Sequence, residues 1–366
     1  MKENAPILGA FSFLGLHMWN FSAGPAQLPK TVLEQVHARL FDFQGCGCSI
    51  LEMGHRTDEI KAVFATLEEN LRTLLQIPRH FDLMFMQGGG RMQFAMVPMN
   101  FLQETGCAIY CVDGTWSKGA QERALRYGQI QTCSMGTDPF ARATAEHAYA
   151  YYCDNETIHG KRFACTPRKH GARGLVTDMS SNFLSRPIDW KEMGLVWAAA
   201  QKNFAPAGLT VGIVRRDWLN MAYSYTPTMM NYASYAYGHS MPNTPPVFQV
   251  YVAKLVTDWL LAEGGVERMD RRAKARSQLL YDVLDQYPDL YVHEVPRAFR
   301  SRMNVVFHLP NEELMQEFLS IARQNDLYYL EGHRSVGGIR ASMYNAMPIE
   351  GARRLAFVMK EFAKKV

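Results

Sequence analysis

Between residues 81 and 202 one pattern recurs: a short apolar run that stops on glycine or a polar residue. "FDLMFMQGGG", "CAIYCVDG", "AYAYYCDNET", "GLVTDMSS" and "LVWAAAQ" are all of this kind. Each run has the length of a strand and is apolar enough to be buried, while segments such as "TWSKGAQERALRY" between them carry helical periodicity. That succession predicts an α/β fold with a mainly parallel sheet flanked by helices.

The remainder fits around that sheet. Lys30 to Asp42 reads as a helix, as does Thr57 to Leu75, with Thr57 a plausible N-cap before Asp58 and Glu59. Residues 234–246, "SYAYGHSMPNTPP", read as a loop. Two helices follow, meeting at Gly264 and Gly265, and then strand, helix, strand and helix to the end. The expected organisation is an N-terminal extension over 1–18, a large domain over 19–270, and a smaller α+β C-terminal domain over 271–366 that the N-terminal segment can join. The extension is mostly apolar from Pro6 to Leu16 but has Glu3 in its would-be basic region. It reads as a flexible or locally packed piece and not as a signal peptide.

Composition removes whole classes of function. With 39 basic and 35 acidic residues spread evenly, no nucleic-acid surface is expected. At 48% apolar and 20% charged, with no long apolar span, the chain reads as globular and without a membrane segment. Its seven cysteines lack metal-ligand spacing, which points to no metal site and to a reducing, cytoplasmic compartment.

In open α/β sheets ligands bind beyond the carboxyl ends of the strands, so the residues there are the candidates. Gly88 to Arg91, Asp113 to Trp116, Thr177 to Ser180 and Gln201 to Asn203 occupy such ends. Three glycines before a helix let the backbone turn and expose amides that can hold a phosphate; the alternative is an ordinary tight turn. Asp178 and Lys202 each sit just past a strand, across one helix-free crossover. They suit a lysine that binds an aldehyde cofactor and a carboxylate that keeps its pyridine nitrogen protonated, or else a structural ion pair or two groups facing water. Trp116 is a core aromatic or a surface for stacking, and Thr157 a turn cap or a hydrogen-bond donor. His55 with Arg56, and His333 with Arg334 and Arg340, come from distant loops and suit a substrate with more than one anionic group.

These residues lie in longer stretches. "NFSAGPAQLP", "GHR" at 54–56, "QGGGRMQFAMVPMN", "DGTWSKGA", "CDNETIHG", "DMSSNFLSRPIDW", "AAAQKNFAPAGLTVGIVRRDWL", "MPNTPP" and "EGHRSVGGIRASMYNAMP" together run from about residue 19 to the end. In them the chain resembles the phosphoserine aminotransferase family, class V pyridoxal-phosphate enzymes of fold type I.

The resemblance implies pyridoxal 5'-phosphate as cofactor and Lys202 as its Schiff-base lysine. Asp178 would pair with the pyridine nitrogen, Trp116 stack on the ring, and Thr157 and Gln201 hydrogen-bond to it. Gly90 and Arg91 would hold the phosphate end, with Asn243 and Thr244 reaching it from the second subunit of a homodimer with shared active sites. His55, Arg56, Arg91, His333 and Arg334 would bind the substrate's phosphate and distal groups, and Arg340 its α-carboxylate. The implied reaction takes the amino group of glutamate to 3-phosphooxypyruvate, in serine biosynthesis; some members also aminate 3-hydroxy-2-oxo-4-phosphooxybutanoate. The sequence departs from the family at Gly54, where serine is usual, and in a shortened stretch over 127–147. An alanine-glyoxylate type transaminase with another small oxo acid is the alternative reading. A desulfurase would need a mobile cysteine, for which Cys46 and Cys48 are the candidates, and a binding protein with dead chemistry should have lost Lys202 or Asp178.

Overall fold

A computed structural model describes residues 18–102 and 106–366. Nearly all of the expected N-terminal extension therefore lies outside the described residues. The apolar runs do become strands, and they pair side by side. Seven form one sheet in the order Phe81–Met86, Thr210–Arg215, Met193–Ala199, Leu175–Asp178, Ala150–Cys153, Cys107–Cys111 and Gln129–Cys133. The last five are mutually parallel, whereas Thr210–Arg215 runs antiparallel to both of its neighbours.

Both faces of the sheet are buried, and strand alternation decides which side chain goes where. Phe81, Leu83 and Phe85 join one apolar core while Met84 and Met86 join another. Helix Asp58–Leu75 packs into the first through Ile60, Val63, Phe64, Leu67 and Leu71, a spacing that puts them on one helix face. It lies against helix Val247–Ala262, where Asn70 Nδ2 donates to Thr257 Oγ1 at 3.0 Å and to Asp258 Oδ1 at 2.8 Å. As expected, Thr57 caps the helix, its hydroxyl accepting from the Ile60 amide at 3.4 Å. Helix Gly89–Phe101 contributes Phe94, Met96, Val97 and Phe101 to the second core, and helix Thr115–Ala124 adds Ala120 and Ala124.

A third core is built from helix Ile349–Lys365, helix Glu312–Gln324, and the antiparallel pair Asn304–Phe307 and Ile339–Ser342. Phe21 joins it, because the short strand Trp19–Asn20 pairs with Leu327–Tyr328. The 22-residue helix Gly265–Gln286 reaches from one core to the other. Its Val266 and Met269 pack with the large sheet, and its Leu280, Val283 and Leu284 with the C-terminal core.

Two expectations need correction. The tract 234–246 is not loop throughout, since its first residues belong to helix Tyr232–Tyr237. Asn231 caps that helix by accepting from the Ala233 amide at 2.9 Å, and burial of Tyr232 and Tyr235 outweighs the tract's turn-rich composition. The run "AYAYYCDNET" also breaks into two strands at Asp154, and Asn155–Glu156 leaves the sheet to pair with Lys161–Arg162. No helix among the described residues is long and apolar enough to cross a membrane.

Candidate active site

The strands deliver their carboxyl ends to one place. Cys153 is in register with Asp178, and Asp178 with Trp197, so Asp178 stands level with the strand that leads into Gln201 and Lys202. A cleft of about 340 Å³ opens there, within the range of small-ligand sites. Its wall includes Gly90, Arg91, Trp116, Thr157, Asp178, Gln201, Lys202, His333 and Arg340, nine residues singled out from the sequence.

Asp178 is buried, and burial pushes its carboxyl above the ordinary aspartate range. The nearby Lys202 ammonium and hydrogen bonds from Ser180 oppose that shift. The Ser180 amide donates to Asp178 Oδ1 at 2.9 Å. Ser180 Oγ accepts from the Ala199 amide at 3.0 Å, which ties the two neighbouring strand ends together beside the carboxylate. Asp178 and Lys202 do not form a contact ion pair among the described residues. The ammonium instead lies over the face of Trp116, 5.5 Å from the ring centre, an electrostatically favourable position for a cation.

Trp116 is itself held in place. Its Nε1 donates to Thr157 Oγ1 at 2.9 Å, so that these two predicted residues are one unit. Buried Glu156 caps the start of the Thr115–Ala124 helix, accepting from the Trp116 amide at 3.0 Å and the Ser117 amide at 2.7 Å. A carboxylate at a helix N-terminus is favoured by the helix dipole. Burial nonetheless raises its pKa against these hydrogen bonds. A side chain at Gly114 would collide with Glu156, its Cβ 2.4 Å from the carboxylate carbon.

Helix Gly89–Phe101 also begins at the cleft. Gly88 precedes it with φ +96°, and any Cβ there would lie 2.0 Å from Met92 Sδ. Gly90 is small for another reason: its missing Cβ would sit 3.3 Å from the Trp197 ring. The turn therefore presents the first amides of a helix, and the adjoining exposed Arg91, to the cleft, which is an arrangement suited to a phosphate.

At the mouth, burial lowers the pKa of Arg340. Burial also lowers that of His333, with the positive charges of Arg340 and Arg334 adding to the effect. His333 Nδ1 is 2.6 Å from Ser335 Oγ.

Five expected site residues are outside this wall. His55 is half-buried with Nε2 unpartnered among the described residues, and Arg56 and Arg334 are exposed. Asn243 and Thr244 are exposed too, and sit beside Gln87, whose Nε2 donates to the Thr244 carbonyl at 3.0 Å. Ser180 fell within the strand-end candidates but had no role assigned to it, and sequence chemistry overlooked Glu156 behind the wall and the segment with Ala23 and Gly24 that closes one side. The Ala26 amide donates to the Gln201 carbonyl at 2.9 Å, and a Cβ on Gly24 would meet Gln201 and Lys202 at 3.4 and 3.5 Å. A serine two residues after a strand-terminal aspartate was the available signal for Ser180; Glu156 and Gly24 had none beyond the motifs that contain them.

The donor set fits an aromatic aldehyde with a basic ring nitrogen and a phosphate: an amine, a buried carboxylate, a flat indole and a helix start. Comparisons with known proteins agree. The model of the aminotransferase class-V family matches residues 18–355. A phosphoserine aminotransferase of Acidithiobacillus ferrooxidans is 45% identical over 357 residues, covering 95% of this chain and 98% of that protein. The solved phosphoserine aminotransferase of Bacillus circulans subsp. alkalophilus superposes with a TM-score of 0.92 at 39% identity, over 96% of this chain and 99% of that one. A PLP-bound phosphoserine aminotransferase from Trichomonas vaginalis gives 0.89 at 37% identity, over 94% and 99%.

Proposed function

We propose, from the premise that this chain belongs to the class-V aminotransferases, that it moves the amino group of glutamate to 3-phosphooxypyruvate and so makes phosphoserine. It is a pyridoxal-phosphate-dependent transaminase, and its role is in serine biosynthesis. When bound, the cofactor supplies an aldehyde that carries the amino group and a ring that accepts electrons.

The chain's residues do the rest. Lys202 Nζ would hold the cofactor through its aldehyde group and, as a free amine, would be the general base and acid that carries the substrate's α-proton on Nζ between its removal and its redelivery to the cofactor-bound carbon. Asp178 would hold the ring nitrogen protonated, since burial makes its carboxylate a poor neighbour for water and a good one for a cation. Trp116, locked by Thr157, would lie against the ring, and the amides of Gly90 and Arg91 would take the cofactor phosphate. Arg340 clamps the α-carboxylate, with His333 and Arg334 near the substrate's distal phosphate.

The observation that carries this reading is the placement of Lys202 and Asp178 in one cleft with the Trp116 face beside the ammonium. Borohydride reduction of the cofactor-loaded protein, followed by peptide mapping, should place the cofactor on Lys202. A panel of oxo acids then tests the substrate. The phosphorylated one should be preferred strongly over hydroxypyruvate, since arginines left without an anion are costly. Equal rates with glyoxylate or hydroxypyruvate would sink the substrate assignment and favour the alanine-glyoxylate alternative.

The active form is read as a homodimer in which a second copy brings Asn243 and Thr244 to the cofactor phosphate and His55 and Arg56 to the substrate. Their position outside the cleft of their own chain supports this. Mixing a Lys202→Ala chain with an Arg56→Ala chain should restore part of the activity that each lacks alone. Separate apolar cores support a division into a large domain over 19–270 and a small one over 271–366 that Phe21 joins. That no disulfide joins the cysteines among the described residues supports a cytoplasmic location.

A further inference from the structure

A second groove, of about 670 Å³, lies between helix Gly265–Gln286, the start of helix Lys30–Ala38 and the turn at 345–348. It shares no lining residue with the cleft just described. Lys30, Arg268, Arg271, Arg272 and Arg276 line it, against the acids Glu263 and Glu350. Both acids have partners of their own: Glu263 with Arg272 at 2.6 Å, and Glu350 with Arg353 at 3.7 Å.

Arg276 is only 1% exposed. Its Nη1 donates to the carbonyls of Met347 at 2.6 Å and Asn345 at 3.3 Å. Its Nε and Nη2 have no partner among the described residues. These two nitrogens form one edge of the guanidinium, and that edge is a fork that matches two oxygens of a carboxylate or phosphate. A buried guanidinium left half-bonded is destabilising, and here burial and the neighbouring Arg272 charge hold its pKa down to about 10. The Asn345 side-chain oxygen is likewise buried and unpartnered among the described residues, an acceptor for a hydroxyl or ammonium on the same ligand.

We infer that this groove is a second anion site, which takes a small carboxylate or phosphate on the Nε–Nη2 edge of Arg276. The turn gripped by Arg276 also donates the Asn345 amide to Asn203 Oδ1 at 2.9 Å, one residue from Lys202, so the site is mechanically joined to the cleft.

Thermal unfolding of the cofactor-loaded protein with inorganic phosphate, and separately with succinate, tests this. Wild type, Arg276→Lys and the double variant Arg268→Glu/Arg271→Glu are compared, with the absorbance response to phosphoserine recorded for each as a check on the cleft. Arg276→Lys should weaken the apparent affinity for the bound anion about tenfold or more, as expected for a lost two-point charged contact, and leave the phosphoserine response in place. If that variant does not fold, the double variant carries the test with a several-fold weakening. Stabilisation by phosphate alone or by succinate alone assigns the oxyanion. Anion affinities equal in wild type and both variants, or no stabilisation by either probe, would overturn the site.

Discussion

Asp178 ends its strand and Asp154 directly follows the neighbouring strand Ala150–Cys153; both are buried, yet their surroundings differ completely. Asp154 has a partner for each oxygen: Arg186 Nη2 on Oδ1 at 2.5 Å and Asn182 Nδ2 on Oδ2 at 2.6 Å. Asp178 is bonded by Ser180 and borders the cleft, with Lys202 acting on it through space. A buried carboxylate that is fully matched inside the protein holds the fold together, whereas one matched on one side and open on the other is available to a ligand. The arginine residues differ in charge pairing: buried Arg186 has the Asp154 carboxylate on Nη2, though its Nε is unpartnered among the described residues, whereas Arg276 meets only carbonyls on Nη1 and leaves both Nε and Nη2 unpartnered.

That contrast can be broken by substitution. The largest expected effect is at the group that Asp178 works with: Lys202→Ala should lower transamination by at least about a thousandfold, measured as single-turnover and steady-state rates, with little change in unfolding midpoint. Next come the two aspartates, exchanged in parallel. Asp178→Asn should reduce the rate by about a hundred- to a thousandfold while the apoprotein stays at least as stable, because an electrostatic partner of the ring is lost. Asp154→Asn should do the reverse, destabilising by about 3–5 kcal/mol in denaturant titrations as Arg186 loses its charge partner, and the surviving folded enzyme should keep its rate. Similar stability losses from both would erase the distinction drawn here.

Arg340→Lys should raise KM for the amino-acid substrates about tenfold or more with a smaller change in kcat, since a lysine cannot form the two-point contact. The smallest signal is the pH dependence of apoprotein stability. Burial raises the Asp178 pKa in the folded state, so the folded protein binds that proton more readily than the unfolded chain does. Between the ordinary aspartate value and the raised one, stability must therefore fall as pH rises; below that window the penalty is absent, and above it the penalty is complete. Asp178→Asn should lack this slope when midpoints are compared across the acidic and neutral range, and an identical slope in both proteins would assign it to other groups.

Much of the site was legible because parallel α/β sheets gather their strand ends. Once "GLVTDMSS" and "LVWAAAQ" are taken as neighbouring strands, Asp178 and Lys202 must approach each other, and Trp116 follows from the strand before its helix. The tract at 234–246 misled because its prolines and glycines speak for turns, while the burial of Tyr232 and Tyr235 that makes its first part helical depends on partners far away in sequence. Asn243 and Thr244 have roles only through motifs, His55 and Arg56 through their charge as well, and their own chain does not bring any of the four to the cleft wall.

By itself the sequence determined the layered α/β architecture, through apolar runs of strand length and helices with one apolar face. It also determined the chemical kinds of group at the strand ends, because those residues follow directly from where each run stops. Only the tertiary structure decided which buried charges are satisfied and which are open. Asp154 and Asp178, or Arg186 and Arg276, look alike as letters, since whether a buried charge finds an opposite charge depends on residues tens to hundreds of positions away.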